Sequence, residues 1–138
     1  MVLQNPSGCC PDNSQQCCGG IQYPLKAIVS GSGSATVNLT YGTPPPPNPG
    51  VTGWAGTFTL CGHAVDLYFW CQTSGPIDSW IVYPVFPDGC VTIPSYGTNS
   101  SNVNCEPFEA IMPDRTHIAD SCGSCGPFID INITVMKA

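Results

Sequence analysis

Positive charge is almost missing from this sequence. Lys26, Arg115 and Lys137 are its only lysines and arginines, against nine acidic residues, for a net charge of -6. A surface that neutralises phosphates needs clustered basic side chains, so nucleic acid is not an expected partner. Charge of either sign is scarce: charged residues make up 9% of the chain, against roughly 25% in an average soluble domain. Long apolar runs are lacking too, and the longest falls well short of the ~20 residues a membrane helix needs, so no membrane span is expected. Residues 1–20 lack the basic start and apolar stretch of a standard secretion signal. Helical periodicity hardly occurs, and there is neither a G-x-S-x-G nucleophile elbow nor a D-x-[DN]-x-[DN]-G calcium loop. These absences argue against an enzyme and leave no catalytic residue to assign.

What the chain has instead is turns and sulfur: 15 glycines, 15 prolines and 10 cysteines in 138 residues. That length suits one domain, which we place at 21–138 behind a cysteine-rich N-terminal segment, 1–20. Alternation of period two recurs along it. In "ATVNLTY" (35–41) Ala35, Val37, Leu39 and Tyr41 share one face, and in "FIDINITVM" (128–136) Ile129, Ile131, Ile133 and Val135 do the same. Both read as strands with one wet face. "GTFTLC" (56–61), "AVDLYFWC" (64–71) and "DSWIVYPVF" (78–86), separated by turn signals at Gly62-His63 and Ser74-Gly75-Pro76, read as a meander. "IQYPLKAIVS" (21–30) reads as an edge strand because Pro24 cannot donate to a ladder, and "PFEAIM" (107–112) as a weaker strand. "PPPPNPG" (44–50) predicts a stiff, extended, exposed loop, and "PSYGTNSSNVN" (94–104) a long polar one. The sum is an all-β fold, an antiparallel β-sandwich or small barrel of about seven strands braced by disulfides.

The cysteines admit two readings. In a tight hairpin Cys61 sits at the turn and Cys71 at the open end, roughly 20 Å away at about 3.3 Å per residue, beyond disulfide reach. Cys90 follows the next strand back to the level of Cys61, so Cys61–Cys90 is the preferred bridge. Cys71 then looks to Cys105 or an N-terminal cysteine, or stays a buried free thiol. Cys9, Cys10, Cys17 and Cys18 form "CC-x6-CC", and "CGSC" places Cys122 and Cys125 just before the last strand. The C-x2-C spacing lets two sulfurs face one ion, so zinc held by Cys122 and Cys125 with thiolates from the N-terminal set is the alternative to full pairing. A thioredoxin-like role for "CGSC" is disfavoured because a strand, not a helix, follows it.

Among ionisable groups, His63 precedes Asp66 by three positions, and "PDRTHIAD" gathers Asp114, Arg115, His117 and Asp120. Neither set has a nucleophile or a defined partner, so a solvated loop with a local Arg–Asp contact is the expectation for the second. Tyr68 and Trp70 share a strand face, with Trp80 one strand over and Trp54 upstream. Such aromatics fill a core, meet a neighbouring subunit, or stack on sugar rings. Three Asn-x-Ser/Thr triplets, at Asn38, Asn99 and Asn132, and the cysteine content suggest a protein outside the cell.

Taken together, "WAGTFTLCGHAVDLYFWC", "SWIVYPVF", "CEPF" and "FIDINITV" resemble the small cysteine-rich all-β proteins of planctomycetes and related phages, over residues 36–135. In those proteins a Trp-bearing, Cys-Gly hairpin is followed by a second Trp-bearing strand and a C-x-P-F segment. The resemblance implies a secreted or virion structural module and brings no catalytic residue. With the sparse charge, it leads us to expect a structural assembly protein: a virion component such as a capsid-decorating or tail protein, or a subunit of an extracellular filament or coat at the cell surface. Its partners would be copies of itself or other structural proteins, with no cofactor. A glycan-binding module using Trp54, Trp70 or Trp80 and a zinc-stabilised small domain are the alternatives.

Overall fold

The computed structural model describes residues 22–74, 77–98, 100–102 and 108–138. The N-terminal segment with Cys9, Cys10, Cys17 and Cys18, like Cys105, lies outside them. Every described element is a strand: β1 (Leu25–Gly31), β2 (Ala35–Thr43), β3 (Gly53–Leu60), β4 (His63–Ser74), β5 (Ile77–Val85), β6 (Tyr96–Gly97), β7 (Ser100–Asn102), β8 (Glu109–Ile111), β9 (Arg115–Ala119) and β10 (Phe128–Lys137). They hydrogen-bond in the order β6-β5-β4-β3-β2-β1-β10-β8-β7, and β9 also pairs with β10. All these pairings are antiparallel. The sheet curls into a half-barrel, so the all-β, disulfide-braced fold and the β3-β4-β5 meander read from the sequence are present.

The alternation that defines the strands also builds the core. Leu25, Ala27 and Val29 of β1, Val37 and Leu39 of β2, and Ile129, Ile131, Ile133 and Val135 of β10 are all buried. Register brings them into rows, with Ala27 between Val37 and Val135. Curling lets the two flanks of the sheet share this core. Phe108, just ahead of β8, stands edge-on to Trp80 of β5 with ring centroids 5.1 Å apart. Arg115 of β9 lies 4.3 Å over the ring of Tyr96 in β6. Burial pushes the Tyr96 phenol up to about 12. Close approach of strands requires glycine at Gly56, among others: a β-carbon there would collide with the Asn38 carbonyl, where β2 presses against β3.

Several local expectations are corrected. β1 is not an edge strand but lies between β2 and β10, because Pro24 sits one residue before it and no ladder donor is lost. The proline-rich loop is not extended. The Asn48 amide N–H donates to the Pro45 carbonyl at 3.1 Å, Val51 closes a second turn on Asn48, and the Asn48 side chain reaches Gln72 at 3.3 Å. The polar stretch 94–104 contributes β6 and β7, and "PDRTHIAD" is not a loop but mostly β9. Arg115 makes no aspartate ion pair among the described residues, since its guanidinium is spread on Tyr96.

Candidate functional site

Three segments converge at one end of the sheet. The β3–β4 hairpin turns on only Cys61 and Gly62, since Leu60 pairs with His63. Both turn residues have positive φ, 52° and 79°, as the two-residue turn matching strand twist requires. The turn therefore comes one residue earlier than its sequence signal, and His63 is already the first residue of β4. Parity puts it on the same face as Val65, Leu67 and Phe69, and it is 2% exposed. The second segment, Asp88-Gly89-Cys90, follows β5. The third is the β9–β10 hairpin loop, residues 120–127, closed by the Asp120 N–H on the Pro127 carbonyl at 3.0 Å.

The second and third segments repeat one device. In each, an aspartate stands two residues before a cysteine and accepts that cysteine's backbone N–H through Oδ1: Asp88 from Cys90 at 2.9 Å, Asp120 from Cys122 at 3.0 Å. Such side-chain-to-backbone turns fix the carboxylate and the thiol on one small unit. The two cysteines are bonded to each other, Cys90–Cys122. The second oxygen of each aspartate is turned onto His63. Asp88 Oδ2 is 2.5 Å from Nδ1 and Asp120 Oδ2 is 2.8 Å from Nε2. A second disulfide, Cys61–Cys125, ties the hairpin turn to the same loop, and the Ser121 N–H donates to the Cys90 carbonyl at 3.0 Å.

The preferred Cys61–Cys90 bridge is thus replaced. The two residues do return to one end of the sheet, but the "CGSC" loop comes between them and supplies a partner to each. Cys122 and Cys125, the expected zinc ligands, are both oxidised and offer no thiolate in this state. Cys71 is disulfide-bonded rather than a free thiol, and its expected partners, Cys105 and the N-terminal cysteines, lie outside the described residues. The tryptophans do not form a platform. Trp54, Trp70 and Trp80 are 2%, 1% and 0% exposed, and the Trp70 indole donates to the same Gln72 oxygen that Asn48 reaches. Of the four aromatics singled out, only Tyr68 is not fully buried. The Asp66 carboxylate faces away from His63, on the opposite face of β4.

None of the known protein families, curated proteins or solved structures matches the chain. What the cluster does therefore has to be read from its chemistry. With both ring nitrogens engaged by carboxylates and the ring stacked edge-on to Phe86 at 5.7 Å, His63 has no nitrogen left for a substrate. The imidazolium is favoured: hydrogen bonds that the ring donates to Asp120 and then Asp88 raise the His63 pKa above 6.5, against the opposing pull of burial. Asp120 is held below 3.8, chiefly by His63, and Asp88 is also lowered, first by the Cys90 N–H and then by His63. The arrangement is an ionic rivet across three segments.

Sequence reasoning missed this set because its members are 25 and 57 residues apart. Two signals were available. His63 has core-face parity in β4 and so needs a buried counter-charge, and "D-G-C" and "D-S-C" share the D-x-C spacing.

The rivet has a pH window. A raised histidine contributes stability that is complete below its ordinary 6.5 and is lost as pH rises through the folded-state value. Depressed aspartates contribute stability that is present above 3.8 and lost as pH falls through their folded-state values. All three contributions therefore coexist between pH 3.8 and 6.5. In thermal unfolding of the oxidised protein, the Tm deficit of His63→Asn against the parent should be largest near the middle of that window and shrink towards alkaline and strongly acid pH. A deficit that does not vary with pH would show the cluster to be uncharged.

Proposed function

We propose that this chain is a non-enzymatic structural protein that works by assembly, as a virion component such as a capsid-decorating or tail protein, or as a subunit of an extracellular filament or coat. The observation that carries the reading is the outer face of β2–β5. Thr36, Asn38, Thr40 and Thr57 stand on it exposed and Ala55, Tyr68, Ile81 and Tyr83 partly buried, with Asp66 as the one charge among its described residues. Tyr68 and Tyr83 pair across strands with ring centroids 6.5 Å apart, and a hollow of about 330 Å³ opens beside Thr57, Asp66 and Tyr68. Interface cores are depleted of charge and enriched in tyrosine, whereas a permanently solvated sheet face usually carries Lys and Glu.

Two further observations support the reading. Among the described residues, the cluster of His63, Asp88 and Asp120 serves as a brace. All five described cysteines, Cys61, Cys71, Cys90, Cys122 and Cys125, are oxidised, which fits a particle that functions outside a reducing compartment. The resemblance to planctomycete and phage proteins points the same way. With every tryptophan buried, the outer face lacks the flat indole on which a sugar-binding reading depended.

Sedimentation and negative-stain microscopy test the proposal. The parent chain should form oligomers or extended particles as concentration rises. Tyr68→Lys with Tyr83→Lys should leave a folded monomer and weaken association at least tenfold. A parent chain that stays monomeric throughout sinks the reading.

A further inference from the structure

A disulfide does not need a histidine beneath it, yet Cys90–Cys122 has one, held by two carboxylates. A nitrogen of His63, the sulfur of Cys90 and an oxygen of Asp120 lie within 4.8 Å of one another. Four donors at about 2.0–2.3 Å from a tetrahedral zinc stand roughly 3.3–3.8 Å apart, so small side-chain shifts would close these three on one ion. Cys122, bonded to Cys90, starts at the same place. We propose that reduction of the Cys90–Cys122 disulfide converts this cluster into a zinc site whose four ligands are Cys90, Cys122, His63 Nε2 and Asp120 Oδ2.

The donor roles follow from the hydrogen bonds already present. Asp88 holds Nδ1, which leaves Nε2 for the metal and supplies the carboxylate that orients a ligating imidazole. Asp120 keeps Oδ1 on the Cys122 and Gly123 N–H groups, at 3.0 and 3.2 Å, so its other oxygen is free to turn from His63 to the ion. Two sulfurs, one imidazole and one carboxylate suit zinc better than a hard cation. In the reaction a dithiol gives up two electrons and closes to its own disulfide, the Cys90–Cys122 bond breaks, and two thiols form. Zinc then displaces both thiol protons and the proton on Nε2, while Nδ1–H remains on Asp88.

The consequence is a brace with two states. Zinc would tie β4, the segment after β5 and the β9–β10 loop, the same three elements the rivet and disulfide tie when oxidised. A chain made in a reducing compartment would then keep this end of the sheet closed until oxidation. The inference does not depend on the assembly reading, because it concerns the opposite face of the sheet and a different measurement.

The full chain, reduced with a phosphine under anaerobic conditions, exposed to zinc and desalted, tests it. The reduced protein should retain zinc that the oxidised protein does not, and zinc should raise the Tm of the reduced form only. Serine at Cys9, Cys10, Cys17 and Cys18 together should leave retention intact, which separates this site from one built on the N-terminal thiols. His63→Asn and Asp120→Asn should each weaken binding at least tenfold, and Asp88→Asn by about 10–100-fold as a positioning change. If His63→Asn fails to fold when oxidised, Cys122→Ser decides: a tenfold or greater loss supports the site, and unaltered binding overturns it. No retention by the reduced parent, retention unaltered by His63→Asn, or loss on removing the N-terminal cysteines would each overturn it.

Discussion

Trp80→Ala should lower the free energy of unfolding by about 3–5 kcal/mol, read as a fall in urea midpoint at unchanged m-value. Trp80 is 0% exposed and sits at the centre of a ring cluster. It stacks on Phe69 at 5.3 Å and 14°, meets Phe108 edge-on at 5.1 Å, and packs beside Trp54 at 5.9 Å. Phe108 belongs to the β8 flank and the other three to the β3–β5 flank, so this cluster is where the curled sheet closes on itself. Removing the indole leaves a void bounded by strands that cannot collapse independently, because their registers are fixed by ladders on both sides. Against a typical total of about 5–15 kcal/mol, such a loss is a third or more of the stability. A loss below about 1 kcal/mol would mean that the flanks are not joined through these rings.

Periodicity made the long strands legible. β2 and β10 declare themselves because apolar and polar residues alternate without interruption, and β4 does so despite having Trp70 buried on its other face. β6, β7 and β9 were not legible. They are two, three and five residues long and exist because neighbours offer free ladder positions, not because Ser100-Ser101-Asn102 or Arg115-Thr116-His117 favour extended backbone. The misplacement of Pro24 shows how a residue just outside a strand can be mistaken for one within it.

The site was legible in level but not in partner. Counting along the meander correctly returned Cys90 to the end of the sheet where Cys61 lies. That β10 lies between β1 and β8, and that the sheet curls far enough to swing the β9–β10 loop over this end, is long-range information with no local trace. The same curl brings Asp120 to His63. A histidine with core-face parity says that a counter-charge must exist, and nothing in the neighbouring residues says which of nine acidic side chains supplies it.

Serine at both Cys61 and Cys125 should cost about 4 kcal/mol, more than serine at Cys90 and Cys122 together. The bridge spans 64 residues of sequence against 32 for the other. In the chain-entropy account the cost rises with the logarithm of the closed loop, giving roughly 4.3 and 3.7 kcal/mol. The ionic rivet does not separate the two bridges, because His63–Asp120 joins the β3–β4 hairpin to the β9–β10 loop as Cys61–Cys125 does, and Asp88 extends it to the segment Cys90–Cys122 holds; the difference rests on loop length. Urea unfolding of the two double-serine proteins, each confirmed to keep its remaining bridge by mass, provides the comparison. Near pH 5, where the rivet is fully charged, both double-serine proteins should be more stable than above the folded-state pKa of His63, where its contribution is lost. Equal costs would mean that loop length does not set the contribution of the two bridges, and a stability of the variants that does not change with pH would mean that His63 and the two aspartates carry no load.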